Sequence, residues 1–406
     1  MDKVSSCNDS CTVKFFPSVL IVFSFLISSC SVSKGNGFGP GLWPKESGSH
    51  SVVAGTPIPI PIVFVPGYKG SELFQKNEDG SWDRLWLSPW QALNLTVPDL
   101  TLKKNDRIEA GGILTSVTLI PSLIEAKVYE PWLRFISSLG TVRLYVFPYD
   151  WRKDNGENSL KLETFLETVQ RENGVLPVLV GHSNGGNLSL SVIHRRPDLV
   201  SKAVFAGVPF RGGIGFMEDL ISGVSTGLNP EITSACVVSS FISVYTFFPR
   251  EGSFDLKDTI QDADRKTIPF RFFNASDWEK YELGPYSHEA HCEPPPSLKE
   301  FQSRLDLALA FRNSLEIRKG NRLPPALVIH AKNRMTMRTL LPEKNPDHWM
   351  WDFKNSIRAP GDGRVTFESS IPPDEVAYQS FITEAEHSDL LNDPKVWERI
   401  AAFLKE

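Results

Sequence analysis

Cysteine is scarce in this sequence. Five cysteines occur in 406 residues, and three of them, Cys7, Cys11 and Cys30, lie within the first thirty positions. A small scaffold held together by disulfide bonds is therefore excluded, because such a scaffold needs many more cysteines for its length. Only Cys236 and Cys292 lie further along the chain. The sequence leaves open whether these two form one disulfide bond or remain two buried thiols.

A block of basic residues is also absent. The chain has 43 lysines and arginines against 48 aspartates and glutamates, which gives a formal net charge of −5. A mildly acidic chain of this kind is a poor ligand for a phosphate backbone, so we expect no nucleic-acid partner. Hydrophobic residues make up 41% and charged residues 22% of the chain. This is the composition of an ordinary globular protein, and it excludes collagen, coiled coils and wholesale disorder.

No apolar run reaches the length of a membrane span. The run from Phe15 to Ile27 has 13 residues, short of the roughly 18 of a spanning helix and within the range of a signal-peptide core. Ile27-Ser28-Ser29-Cys30 follows, and it resembles the lipobox of bacterial lipoproteins, in which the cysteine is lipidated. We interpret residues 1–29 as a signal-like segment, with plain cleavage as the alternative to lipidation, and residues 30–56 as a tether. The protein is then expected to be secreted or anchored at a membrane.

The rest of the chain alternates short apolar strands with helical stretches. The predicted strands are Ile60–Val65, Val142–Phe147, Val178–Val180, Ala203–Ala206, Ala326–Ala331 and Ala377–Ile382. The predicted helices are Ser159–Glu172, Gly185–Arg195 and Pro394–Lys405. Near-continuous apolar strands are typical of a parallel sheet covered on both faces. The alternation predicts one α/β domain over residues 57–406, with a mostly parallel, doubly wound sheet.

The alternation fails between about residues 210 and 320, where phenylalanines cluster instead. We interpret this segment as a cap inserted into the α/β domain. A long apolar ligand needs an apolar groove, because each methylene group taken from water stabilises its binding. Phe247 and Phe248 are our candidates for residues that bind the substrate there. The competing interpretation is that these aromatic residues form a hydrophobic core within the cap and never contact a substrate.

The most informative segment is Gly181-His182-Ser183-Asn184-Gly185, between a predicted strand and a predicted helix. In this context the pattern G-x-S-x-G is typical of the nucleophile elbow of α/β-hydrolases. A tight turn forces the serine into a strained conformation that small neighbours tolerate, and the helix N-terminus directs its N–H groups to the same point. Ser183 is therefore the candidate nucleophile. A phosphate-binding turn would require G-x-G-x-x-G or G-x-x-x-x-G-K, and the segment has neither.

The α/β-hydrolase fold places the acid and the base after the nucleophile. Of the six histidines that follow Ser183, only His387 lies between the last predicted strand and the terminal helix, so it is the candidate base. Asp362 is the candidate acid, because glycines on both sides make a turn that projects its carboxylate. Asp389 and Asp393 are weaker rivals, since both follow His387.

An oxyanion hole needs two preorganised donors, which in this case are backbone N–H groups. One is the N–H group of Asn184, directly after the nucleophile. The second is expected from the loop Pro66-Gly67-Tyr68-Lys69-Gly70-Ser71 after the first predicted strand, where the N–H group of Tyr68 is the best candidate. The two glycines of this loop allow the close approach that the role requires.

Several separated motifs of this sequence match those of one known family. The most distinctive is Phe147-Pro148-Tyr149-Asp150-Trp151-Arg152. The others are Ile62–Leu73, Trp86–Ser88, the elbow with Ala206–Gly213, Gly361–Val365, and His387–Leu390. In these motifs the chain resembles the lecithin:cholesterol acyltransferase family, which includes lysosomal phospholipases and phospholipid:diacylglycerol acyltransferases. The resemblance spans roughly residues 60–400, and it implies a Ser-Asp-His acyl-transfer enzyme that acts on glycerolipids without a metal or cofactor.

The sequence also departs from that family. Asn184 replaces the usual apolar residue after the nucleophile, and Arg364 replaces a small polar residue near Asp362. No cysteine pair occurs in residues 31–235, so the disulfide-closed lid of the secreted vertebrate members is not expected. We expect the Asp150-Trp151-Arg152 motif to form a buried, charge-paired corner and to take no part in catalysis.

These predictions favour a lipid O-acyltransferase or phospholipase that cleaves glycerolipid esters through an acyl-enzyme, with a lipid or membrane surface as its substrate. One alternative is a secreted carboxylesterase or triacylglycerol lipase that acts on other esters. A catalytically silent hydrolase-fold binding module is a further alternative. The silent module is disfavoured, because the serine, the acid and the histidine are all present in the required order.

Overall fold

The computed structural model describes residues 59–120, 124–317, 320, 322–343 and 348–406. The predicted signal-like segment at residues 1–29 and the predicted tether at residues 30–56 lie outside the described residues, and so does Cys30. Within the described ranges, no helix is both long enough and apolar enough to cross a membrane.

The strands follow one another along the chain as β1 (Ile60–Val65), β2 (Ser71–Lys76), β3 (Trp82–Trp86), β4 (Ile108–Ile113), β5 (Ser116–Ile120), β6 (Ile124–Lys127), β7 (Val142–Val146), β8 (Val178–His182), β9 (Lys202–Ala206), β10 (Ala326–Ala331), β11 (Arg334–Thr339), β12 (Ile357–Gly361) and β13 (Tyr378–Thr383). The helices are α1 (Pro89–Ala92), α2 (Glu130–Ser138), α3 (Asn155–Asn173), α4 (Asn184–Arg195), α5 (Met217–Ile221), α6 (Ala235–Ser239), α7 (Ala275–Lys280), α8 (Leu298–Asn313) and α9 (Pro394–Lys405).

In the described part of the chain, six strands form one central sheet in the order β13-β10-β9-β8-β1-β7. Every neighbouring pair is parallel. These six strands are the six that the sequence predicts, with ends that differ by one or two residues. The doubly wound parallel sheet is therefore confirmed, and the chain has the α/β-hydrolase fold.

The central sheet is covered on both faces, which explains the near-continuous apolar strands. Successive residues of β1 point in opposite directions, as the period of a strand requires. Val63 packs in the hydrophobic core that includes residues of α3 and α4. Ile62 and Phe64 pack in a second core, formed with residues of α2 and α9 such as Trp132 and Ile400. Helices on both faces are the arrangement expected for a parallel sheet.

The segment between β9 and β10 contains α5, α6, α7 and α8, and it corresponds to the predicted cap. Its buried aromatic residues belong to the same hydrophobic core as α3 and α4, so this segment packs directly on the α/β layers. A disulfide bond joins Cys236 in α6 to Cys292 ahead of α8. The sequence left open whether these two cysteines pair, and in the structure they form a disulfide bond.

Among the residues that the structure describes, three smaller sheets lie outside the central sheet, and the sequence analysis did not predict them. The strands β3, β2 and β4 form an antiparallel sheet, β5 pairs with β6, and β11 pairs with β12. The β11–β12 pair matters for the site, because β12 ends at Gly361, next to Asp362.

Candidate active site

Ser183 occupies the sharp turn between β8 and α4, and its backbone is strained. Its φ of 51° and ψ of −123° lie in a region that residues with a Cβ rarely adopt. The neighbouring backbones explain the two glycines of the motif. A Cβ on Gly185 would lie 2.3 Å from the carbonyl oxygen of Val65, and one on Gly181 would lie 2.6 Å from the Cα of Gly186. Close packing of β1, β8 and α4 therefore requires glycine at both positions.

The structure brings Ser183, His387 and Asp362 together in one hydrogen-bonded chain. The hydroxyl oxygen of Ser183 lies 2.9 Å from Nε2 of His387, and Nδ1 of His387 lies 2.8 Å from a carboxylate oxygen of Asp362. The rivals are placed elsewhere, since Asp389 is exposed and Asp393 accepts a hydrogen bond from the N–H group of Lys395 at the start of α9.

The environment of Asp362 favours its ionised form. Burial opposes ionisation of this carboxyl, but the His387 imidazole and the N–H groups of Arg364 and Val365 outweigh it and hold its pKa below the ordinary value. The carbonyl oxygen of Asp362 also accepts the N–H of His387 at 2.9 Å. Asp362 thus fixes both the ring and the backbone of the histidine, which sets the tautomer that leaves Nε2 free to accept a proton.

His182, the variable residue of the motif, forms a second link to the base. Its Nε2 lies 2.9 Å from the carbonyl oxygen of His387, and because a carbonyl only accepts, Nε2 carries the proton. Its Nδ1 lies 2.8 Å from the hydroxyl oxygen of Tyr129, so the tyrosine hydroxyl donates to Nδ1. Burial and the nearby His387 lower the pKa of His182 to about 3. His182 is therefore neutral and does not compete with His387 for a proton.

Tyr129 extends this link to the predicted oxyanion loop. Its hydroxyl oxygen accepts the N–H of Gly67 at 3.0 Å while the hydroxyl proton goes to His182. The buried side chains of His182 and Tyr129 thus hold the carbonyl of His387 and the amide of Gly67. The sequence analysis missed Tyr129 and gave His182 no role, although His182 lies inside the quoted motif.

We expect Tyr129→Phe to lower kcat by about tenfold with little change in KM, because it removes two hydrogen bonds of roughly 1 kcal/mol each and about 1.4 kcal/mol already corresponds to tenfold. The substitution leaves the amide of Gly67 and Nδ1 of His182 without this partner, so both loops lose a fixed position. Steady-state kinetics over a range of pH, with the melting temperature measured in parallel, would check this prediction.

Tyr145→Phe is the matched control, because its hydroxyl accepts from Asn173 at the end of α3 and has no part in the link between Gly67 and His387. Its kcat is expected to stay unchanged. A Tyr129→Phe protein that melts earlier but keeps its kcat would show a purely structural residue and contradict the prediction.

The predicted oxyanion donors flank Ser183. Among the described residues, neither the N–H of Tyr68 nor that of Asn184 donates a hydrogen bond within the protein, so both remain available to a ligand. The Cα of Gly67, next to Tyr68, sits so close to the nucleophile that an added Cβ would be 3.1 Å from the Cβ of Ser183. This geometry is suitable for an oxyanion between the two N–H groups.

The side chain of Asn184, an unusual residue after the nucleophile, lies in a buried polar network. Its Nδ2 donates to the hydroxyl of Tyr149 at 3.1 Å, and its Oδ1 accepts from Asn155 at 2.9 Å. Tyr149 in turn donates to the carbonyl of Pro66 at 3.1 Å. Asn184 is therefore satisfied, and it helps to hold the loop that carries Tyr68.

The structure separates the two phenylalanines that were predicted to bind substrate. The ring of Phe247 contacts those of Tyr68 and Phe216, with centroids 5.8 and 4.4 Å apart, so it belongs to the surroundings of the oxyanion loop. Phe248 points elsewhere: it stacks on Phe272 at 5.0 Å and is fully buried. Phe248 is a core residue of the inserted segment, as the competing interpretation has it.

Charged side chains surround the Tyr68 end of the site. Arg364 forms an ion pair with Asp219 at 2.7 Å and lies over the ring of Phe216 at 5.2 Å. Arg364 departs from the family pattern, and the carboxylate of Asp219 on α5 balances its positive charge. Burial lowers the pKa of Lys69, beside Tyr68, to about 8, so the oxyanion loop carries a cation with a partly desolvated head.

The fold and the site define an α/β-hydrolase with a Ser-His-Asp chain at the carboxyl ends of its strands. The sequence model of the lecithin:cholesterol acyltransferase family matches residues 86–293, and the chain belongs to that family. The family that the sequence motifs suggested is thereby confirmed.

Two curated relatives are triacylglycerol lipases, one from Pseudarthrobacter phenanthrenivorans and one from Burkholderia plantarii. Each is 30% identical to this chain over 128 residues, or 30% of the chain. The matched stretch spans 39% of the first relative and 34% of the second. The likeness is therefore confined to a minor part of each lipase.

Among solved structures, a chain of the Tle4–Tli4 complex is similar with a TM-score of 0.56 at 13% identity, covering 86% of this chain and 99% of that one. Bacillus licheniformis lipase BlEst2 in its mature form gives a TM-score of 0.37 at 13% identity, covering 86% of this chain and 92% of that one. At such low identity, the similarity to the chain of the Tle4–Tli4 complex concerns the fold alone.

Proposed function

We propose that this protein is an enzyme of the lipase and esterase type that cleaves lipid esters through an acyl-enzyme on Ser183. The observation that carries the proposal is the unbroken hydrogen-bonded chain from Ser183 through His387 to Asp362. A serine hydroxyl is a weak nucleophile on its own, and a base oriented by a carboxylate is what activates it. A binding module without catalytic activity would have no use for this strained and precisely connected arrangement.

In the proposed mechanism, Nε2 of His387 takes the proton of Ser183 as its oxygen attacks the ester carbonyl. The N–H groups of Tyr68 and Asn184 stabilise the negative charge that develops on the carbonyl oxygen. Asp362 stabilises the imidazolium and stays ionised, in keeping with its lowered pKa. The imidazolium then protonates the departing alcohol, and the acyl group remains on Ser183. A second alcohol or a water molecule, deprotonated by His387, releases it.

The acceptor of the acyl group separates two versions of this proposal. Membership of the lecithin:cholesterol acyltransferase family supports transfer from a phospholipid to an alcohol, or phospholipid hydrolysis. The two triacylglycerol lipases that match 128 residues support hydrolysis of other lipid esters equally well. The site itself, with its free N–H groups and the cation of Lys69, is suitable for an ester in either context.

Product analysis distinguishes these versions. The protein is incubated with phosphatidylcholine liposomes and, separately, with a triacylglycerol emulsion, each with and without a long-chain alcohol, and products are identified by mass spectrometry. Acylated alcohol indicates a transferase, lysophospholipid with free fatty acid a phospholipase, and diacylglycerol with free fatty acid a lipase. Ser183→Ala supplies the blank. Products that persist in the blank, or the absence of every product, would contradict the proposal.

Phe247 is expected to contact the acyl chain, because it lies against Tyr68 beside the oxyanion loop. Phe247→Ala should lower kcat/KM for a long-chain ester by roughly tenfold, the worth of about two methylenes, and spare a short-chain ester. Kinetics with p-nitrophenyl esters of two chain lengths would check this, with the melting temperature measured in parallel because Phe247 is itself buried.

Phe248→Ala is the matched control, since it removes an equal ring from the core. It should reduce the free energy of unfolding by about 3–5 kcal/mol and lower activity on both esters together. Equal losses on long and short esters in Phe247→Ala would show that Phe247 acts only as a core residue.

The proposal extends to the location of the protein. The bond between Cys236 and Cys292 supports a secreted or surface-anchored protein, because disulfides persist in oxidising compartments. The signal-like segment and Cys30 of the sequence analysis are in keeping with this. Intact mass of the native protein tests it, and a chain that begins at Met1 in the cytosol would contradict it.

A further inference from the structure

We propose that Glu282, His288 and His348 form a binding site for a zinc ion on the inserted segment. Glu282 and His288 lie between α7 and α8, whereas His348 lies between β11 and β12. Three residues from two distant parts of the chain thus converge, and their ligand atoms all lie within 4.8 Å of one another. None of the three belongs to the proposed catalytic machinery.

The spacing of the ligand atoms suits a shared metal ion, and the contact between His348 and Glu282 is long for a hydrogen bond. One carboxylate oxygen of Glu282 lies 3.3 Å from Nδ1 of His348 and 3.6 Å from Nε2 of His288. A charge-assisted hydrogen bond would be roughly 2.7–2.9 Å long, so both distances exceed it. In tetrahedral zinc with bonds of about 2.0–2.1 Å, neighbouring ligand atoms are separated by about 3.3 Å. The distance to His348 equals this second value, and the distance to His288 exceeds it by 0.3 Å.

The carboxylate of Glu282 is already oriented for such a role. Its other oxygen accepts the N–H of Trp349 at 2.8 Å, which leaves the first oxygen facing the two imidazoles. A second hydrogen bond, from the indole N–H of Trp351 to the carbonyl of Tyr281 at 3.1 Å, joins the same two segments. A ligand held by a hydrogen bond to its other atom is typical of metal sites.

The two imidazoles are close and accessible. Their ring centroids lie 4.5 Å apart, and the side chains of His288 and His348 are 68% and 53% exposed. The disulfide bond at Cys292 ties down the segment that carries His288. Two imidazoles and one carboxylate suit zinc, and three protein ligands leave a fourth position for water. The ion would clamp the inserted segment to the β11–β12 connection, so its binding should stabilise the folded protein.

Metal analysis of the full chain without a polyhistidine tag tests the proposal. The protein is treated with a chelator, dialysed against micromolar zinc chloride, and its zinc content is measured by mass spectrometry. We expect His288→Ala and His348→Ala each to bind one zinc ion fewer than the unchanged protein, or to bind it at least about tenfold more weakly. His291→Ala is the matched control, because it removes an exposed histidine of the same segment and should keep the ion.

Thermal unfolding supplies a second measurement. Zinc should raise the melting temperature of the unchanged protein and of His291→Ala, and should not raise that of the other two variants. Both substituted imidazoles are exposed, so the variants are expected to fold. Equal zinc content in all four proteins, or no zinc retained by any, would overturn the proposal and leave the cluster as a contact among three polar side chains. Zinc content and melting temperature do not depend on ester cleavage, so a negative result for zinc binding would leave the proposed function untouched.

Discussion

Replacing Ser183 by alanine is expected to lower kcat by about 10³- to 10⁶-fold, because the acyl-enzyme cannot form without its hydroxyl. The residual rate would come from the oxyanion donors and from substrate binding alone. A fluorophosphonate probe should label the unchanged protein once per chain and should leave Ser183→Ala unlabelled. Hydrolysis of a p-nitrophenyl ester and labelling followed by intact mass measure the two effects. The fold should be retained, since alanine is smaller than serine and the glycines that permit the turn remain.

Ser388→Ala is the control for both measurements, because Ser388 is the exposed neighbour of the candidate base. It should keep the activity and the labelling of the unchanged protein. Labelling that survives in Ser183→Ala, on any residue, would reject the assignment of the nucleophile. Loss of labelling without loss of turnover would mean that the reaction does not pass through this serine.

The central sheet was predictable because its strands are covered on both faces. Burial on two faces leaves little room for polar residues, so the strand at Ile60–Val65 is a continuous apolar run that the sequence reveals directly. By contrast, β2 ends in the exposed residues Gln75 and Lys76, and its pairing with β3 and β4 depends on distant residues. Short strands with one exposed face have no such pattern, so the smaller sheets were missed.

The helix α8 was missed for a different reason. Phe301, Leu305 and Ala308 are fully buried at helical spacing, and Ser297 caps the helix by accepting the N–H of Glu300. The sequence therefore carries the signal of this helix. It was overlooked because the surrounding segment was interpreted as a cap without regular rhythm.

The three members of the proposed triad could be predicted because each lies at the end of an element that the sequence places in the fold. The link from Gly67 through Tyr129 to His182 could not be predicted. Tyr129 is separated from His182 by 53 positions, and the two residues meet only because the fold brings the start of α2 to the end of β8. The directions in which the side chains of Phe247 and Phe248 point could not be predicted either. Adjacent residues of an irregular segment face different ways, and only tertiary packing determines which one meets the site.

Replacing Arg152 by methionine is expected to reduce the free energy of unfolding by about 3–5 kcal/mol, the cost of breaking a buried ion pair. Arg152 is fully buried and pairs with Asp150 at 2.6 Å and with Asp106 at 2.9 Å. It also donates to the carbonyl of Leu100 at 3.1 Å, so one guanidinium joins the segment after β7 to the connection between α1 and β4. Methionine fills much of the space but leaves two buried carboxylates without this partner. Urea unfolding of the two proteins at neutral pH measures the loss.

The neighbouring residue offers a matched control. Lys153 lies 3.8 Å from the same two carboxylates, and its side chain is 27% exposed, so Lys153→Met removes a cation that water already screens. Its cost should be at most about 1 kcal/mol. Because the Asp150-Trp151-Arg152 corner holds the fold and does not touch the reacting atoms, Arg152→Met should label with a fluorophosphonate at low temperature, where it stays folded. Equal stability losses in the two variants would show that Arg152 contributes no more than a surface charge. Loss of labelling in a folded Arg152→Met protein would instead assign this corner a part in catalysis.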